Sequence, residues 1–61
     1  MKILRLPELK SLTGLSRSTI YAKIADGTFP VPIKLGARAV GWPEVEIAAW
    51  LEGRKADRDA A

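Results

Sequence analysis

The 61-residue sequence contains no cysteine and no histidine. Disulfides, thiol nucleophiles, imidazole bases and cysteine or histidine zinc sites are therefore excluded together. Carboxylates, lysines, hydroxyls and one tyrosine are what remains for chemistry. No apolar run approaches the roughly 18 residues that cross a bilayer, and the opening MKILRLPELK has neither an apolar signal core nor a small-residue cleavage site. A cytoplasmic protein is expected, nucleoid-associated if its partner is DNA. At this length the chain forms one small domain that buries roughly 60% of its unfolded surface and holds about 3–5 kcal/mol of net stability. An elaborate substrate pocket does not fit in it. With no base, nucleophile or metal constellation, neither an enzyme nor a cofactor site is expected.

What the sequence does have is separated charge. Residues 1–42 carry seven basic groups against two acidic ones, a balance of +5, whereas residues 43–61 carry three basic groups against five acidic ones, a balance of −2. Such a chain can turn one face to a polyanion and another to water or a protein. The plain alternative is that a total of +3 serves solubility alone. Only the placement of the charges distinguishes the two.

The order of elements supplies that placement. Ile3-Leu4-Arg5 reads as a brief strand or as the lead-in to a helix. Pro7 suits a first helical position, where its missing N–H is not needed, and Leu6, Leu9 and Leu12 form one apolar stripe on a short helix ending near Thr13, before Gly14. Ser16 is an N-cap candidate for a second helix from Arg17 to about Asp26, closed by Gly27. Ile20 and Ile24 mark its inner side; Ser18, Thr19, Ala22 and Asp26 project away. Val31–Leu35 and Arg38–Trp42 then flank Gly36-Ala37 as a β-hairpin, in which Pro32 confines the first run to an edge. Pro43 is expected to open the last helix, with Glu44 and Glu46 beside its positive dipole end and Ile47, Trp50, Leu51 and the stem of Arg54 on one face. The domain is expected to span residues 1–54, with 55–61 a frayed or flexible tail.

Two short helices joined across Thr13-Gly14-Leu15-Ser16 have the spacing of a helix-turn-helix, in which the second helix offers its N-terminal side chains to a major groove. A generic helical hairpin shares that spacing. The hairpin adds a wing, with Lys34 and Arg38 either side of its tip, suited to phosphates or a minor groove. The segments TGLSRSTIYAKIADGTFP (13–30), KLGARAVGW (34–42) and EVEIAAWL (44–51) together resemble the AlpA family of phage and prophage regulators. Their order is also similar to excisionase-type and MerR-type domains. The likeness implies a mainly α fold with a small β-hairpin, a three-helix winged helix-turn-helix that binds double-stranded DNA and regulates transcription or excision. The long dimerisation helix and effector domain of MerR regulators are not found in these 61 residues, so effector sensing and helix-mediated dimerisation are not expected.

On this reading the DNA-binding residues are Ser16, Arg17, Ser18, Thr19, Tyr21, Lys23, Lys34 and Arg38. Arg17 is suited to a guanine edge or to a phosphate, and the sequence does not choose. Tyr21 lies one turn beyond Arg17, half in the core, with its hydroxyl available to a phosphate. Lys23 serves a phosphate or water equally well, and Ser16 is a cap first. Trp42, Trp50 and Phe29 are expected in the core and not as a stacking platform. Glu44 and Glu46 point to different faces and serve the helix dipole. The leading expectation is a sequence-specific transcriptional regulator. An excisionase that bends an attachment site is the alternative, and a protein-interaction module is the reading from another class. Beyond DNA, the expected partners are further copies of the chain on adjacent sites, a recombinase or RNA polymerase.

Overall fold

The computed structural model describes residues 1–60. Helix α1 (Leu6–Thr13) begins with proline in its first turn, and the Glu8 Oε1 accepts from the Arg5 backbone N–H at 3.1 Å. It ends at Gly14, whose φ of 72° lies in the left-handed region that favours glycine and lets its N–H reach the Lys10 carbonyl at 2.8 Å. Thr13 Oγ1 donates to the Leu9 carbonyl and accepts from the Leu15 N–H, which fixes the reversal. Helix α2 (Arg17–Asp26) starts at the expected Ser16, whose Oγ accepts the Thr19 N–H at 3.2 Å, and stops at Gly27, with φ 78°.

Of the leucines in the α1 stripe, Leu9 is fully buried and Leu6 partly so, but Leu12 is 54% exposed. The expectation for Leu12 fails for a geometric reason. Steps of three residues retreat by about 60° each around a helix of 3.6 residues per turn, so a third member drifts off the face. Thr13, four residues from Leu9, takes the inner position and uses its hydroxyl on the backbone.

The expected hairpin is part of a three-stranded antiparallel sheet. Strand β1 (Ile3–Leu4) and β2 (Ile33–Lys34) flank β3 (Val40–Pro43), with Ile3 opposite Pro43, Leu4 opposite Trp42, Ile33 opposite Gly41 and Lys34 opposite Val40. The regular strands are shorter than the sequence suggests: residues 35–39 form the turn, closed by N–H donations from Leu35 and Gly36 to the Ala39 carbonyl at 2.8 and 3.2 Å. Pro43 does not open the last helix. It closes β3, where a residue without an N–H is tolerated, and the Glu44 N–H donates to the Lys2 carbonyl at 2.9 Å. Gly41 is required in the middle strand. A Cβ there would collide with Ile3 Cγ2 and lie 3.1 Å from both Leu35 Cδ1 and the Leu4 carbonyl oxygen.

Helix α3 (Glu44–Ala60) runs well past the last core residue. Residues 55–60 are helical, with Arg54 paired to Asp57 and Arg58 to Asp59; Ala61 lies outside the described residues. The core is Leu4, Leu9, Ile20, Phe29, Trp42 and Ile47, ringed by Leu6, Leu15, Ile24, Trp50 and Leu51. Phe29 and Trp42 are thus buried as expected, while Trp50 is half-buried with its ring 4.8 Å from that of Phe29. Both indoles are satisfied: Trp42 Nε1 donates to the Pro30 carbonyl at 2.9 Å and Trp50 Nε1 to the Thr28 carbonyl at 2.7 Å.

Candidate nucleic-acid interface

The candidate residues fall into two groups. Ser16, Arg17, Ser18 and Thr19 form the exposed cap and first turn of α2, with Tyr21 38% exposed one turn further on. Because Ile20 is fully buried, a rotation of about 100° per residue puts Ser18, Ala22 and Ala25 on the opposite, outward side, and all three are exposed. That side is small and nearly uncharged. It lets the helix backbone come close to another surface, with Arg17 on its flank.

Ser16 Oγ and Thr19 Oγ1 lie 2.9 Å apart, so both hydroxyls are engaged in the cap. Arg17 packs its guanidinium 5.4 Å from the centre of the Tyr21 ring, an i, i+4 pair on one face. Lys23 differs from the others in being half-buried at the end of α2, where its carbonyl accepts from the Thr28 N–H and hydroxyl. The second group is on the sheet: Lys34 in edge strand β2 and Arg38 in the turn, both exposed.

The electrostatics follow from which charges are already matched. Among the described residues the ion pairs are Lys2–Glu44 at 3.7 Å, Arg54–Asp57 and Arg58–Asp59. Arg17, Lys23, Lys34 and Arg38 take part in none. Arg5 and Lys10 are exposed and likewise unmatched, and sequence reasoning gave them no part. The signal for them was the segment charge of +5, which no spacing rule attached to α1. Cations left unmatched thus collect in the first 42 residues, while α3 neutralises two of its own.

Glu44 is engaged by Lys2, Glu8 accepts from the α1 start, and among the described residues no group of three His, Cys, Asp or Glu is placed to hold a metal ion. No described helix is long and apolar enough to cross a membrane.

Three helices on a small antiparallel sheet, with α1 and α2 joined through Gly14, Leu15 and Ser16, make an architecture compatible with a winged helix-turn-helix. The chain belongs to the AlpA family: the model of that family, described as prophage CP4-57 regulatory protein (AlpA), matches residues 2–55. It is 43% identical over 60 residues to the DNA-binding transcriptional activator AlpA of Escherichia coli K12, covering 88% of this chain and 86% of that one. It is also 49% identical over 57 residues to the uncharacterised protein ORF88 of Enterobacteria phage P4. That match covers 93% of this chain, which spans 65% of the phage protein's length.

Proposed function

We propose that the chain is a sequence-specific double-stranded DNA-binding regulator of transcription, of phage or prophage type, acting at the nucleoid. Helix α2 enters the major groove with Arg17, Ser18 and Thr19 leading, and the β2–β3 turn rests Lys34 and Arg38 on the backbone or in the adjacent minor groove. The observation that carries this reading is the unmatched charge: Arg17, Lys34 and Arg38 are exposed without ion-pair partners among the described residues, beside a helix side small enough to approach a groove floor. The relationship to an activator named as DNA-binding supports it. A single module of this kind covers only about 600–1,000 Å². Useful specificity then comes from several copies on adjacent sites, each adding effective concentration for the next.

Selection from a pool of random-sequence duplexes, followed by titration at several salt concentrations, tests the proposal. A short sequence should be enriched, and its affinity should fall steeply with salt as phosphate counterions are released. Enrichment of no sequence, or affinity indifferent to salt, rejects it.

A further inference from the structure

The first position of α2 is an adverse place for a cation. A helix N-terminus carries partial positive charge, and α2 has no acidic residue in its first turn to offset Arg17. Among the described residues nothing of opposite charge pairs with the guanidinium. A ring does: its central carbon lies 5.4 Å from the centroid of Tyr21. That ring is itself backed edge-on by Trp42, with centroids 6.5 Å apart and planes at 65°. Trp42 is fully buried and anchored by its Nε1 donation to the Pro30 carbonyl at 2.9 Å. A continuous chain of contacts, one edge-on aromatic pair and one cation–π pair, therefore runs from the middle of the core to an exposed guanidinium.

A guanidinium held by a ring, and by no carboxylate, keeps its N–H donors for another partner. A carboxylate partner would have occupied those donors. An arginine in cation–π contact is thus restrained in position and still able to make two parallel hydrogen bonds, the requirement for reading the paired acceptors O6 and N7 of a guanine. Restraint before binding also lowers the ordering cost that a long side chain otherwise meets on association.

We infer that Tyr21 is a positioning residue whose ring, backed by Trp42, aims Arg17 at a guanine edge and so sets sequence preference. The inference rests on the reading of α2 as the DNA-contacting helix, and it assigns the ring a role distinct from any phosphate contact by the Tyr21 hydroxyl.

The test uses two probes, the duplex enriched by the wild-type chain and a random-sequence duplex. Tyr21→Leu should weaken the enriched duplex about five- to tenfold and the random duplex less than twofold, since a ring–guanidinium contact has roughly that worth. Tyr21→Phe, which keeps the ring and drops the hydroxyl, should restore binding. Arg17→Ala should lose at least as much as Tyr21→Leu, and the double variant no more than Arg17→Ala alone. A Phe variant as weak as Leu, equal losses on both probes, or additive losses in the double variant overturns the inference. If Arg17→Ala binds the enriched duplex like wild type, the reading of α2 itself fails; if Arg17→Ala is weak and Tyr21→Leu is not, only the role of the ring fails. Should Tyr21→Leu not fold, the free protein decides. The Arg17 Nε–H proton should be shifted upfield by the ring in both wild type and Tyr21→Phe, and an unshifted proton overturns the inference.

Discussion

Helices α2 and α3 start oppositely. α3 opens with Glu44 and Glu46 and carries Arg58 in its last turn, the order that a helix dipole favours, and α1 follows the same rule with Glu8 early and Lys10 late. α2 opens with an arginine and no acid. Where folding alone sets the charge, charge follows the dipole, and α3 goes further by pairing two of its arginines with its own aspartates. The start of α2 gives up that gain. A departure from the local optimum in one helix, beside two that keep to it, is what the proposed DNA-binding role of the α2 start accounts for.

One core lies beneath both helices, and the largest effect is expected there. Trp42→Ala should remove about 3–5 kcal/mol, as truncating a buried aromatic does, and abolish the cooperative thermal transition seen by circular dichroism, since the reserve is no larger. A variant that still melts cooperatively near the wild-type temperature shows that α2 and α3 are held separately.

Giving α2 the charge order of α3 sharpens the contrast. Ser18→Glu should raise stability by about 0.5 kcal/mol through the dipole while weakening DNA at least tenfold, because it sets a carboxylate where a phosphate or base edge approaches. Denaturant melts and titrations on the same sample read both quantities. Loss of stability, or unchanged affinity, removes the trade between them. Ser16→Ala should cost about 1 kcal/mol in urea denaturation by freeing the Thr19 N–H. A cost near zero means the cap is borne by other groups. The smallest effect is on salt dependence: Arg38→Ala should lower the slope of log affinity against log salt by about 0.9, and Lys55→Ala, on α3, should leave it unchanged. Equal slopes for the two variants remove the wing from the phosphate contacts.

What the sequence revealed and what it hid divide along the range of the interactions. α2 runs from Arg17 to Asp26 as expected, because its limits are written in residues next to it: Ser16 caps and Gly27 terminates. Strand β1 is only Ile3–Leu4, and its existence depends on Trp42 and Pro43, some forty positions away. Periodicity has no power over such a segment. Pro43 carries a strong local signal for a helix start, yet the pairing with Ile3 draws it into the sheet and moves the start by one residue. Residues 55–60 have no apolar period and read as a frayed helix end or a flexible tail; they continue α3, with charge pairs at short spacing that hydrophobicity does not register. Of the candidate site, the residue types and the Arg17–Tyr21 spacing were legible, whereas the backing of that ring by Trp42 is a tertiary fact.

The two indole hydrogen bonds have a mechanical consequence. They hold carbonyls only two residues apart, Thr28 from the side of α3 and Pro30 from the middle strand, in the short stretch of chain that leads from α2 to the edge of the sheet. A strap fastened at two close points, each by a packed aromatic, has no free hinge between them. The gauge between α2 and the β2–β3 turn is therefore set when the domain folds, like the jaws of a calliper locked before measuring. Both of the chain's tryptophans are fastened to that strap, so its own fluorescence reports any change in the setting.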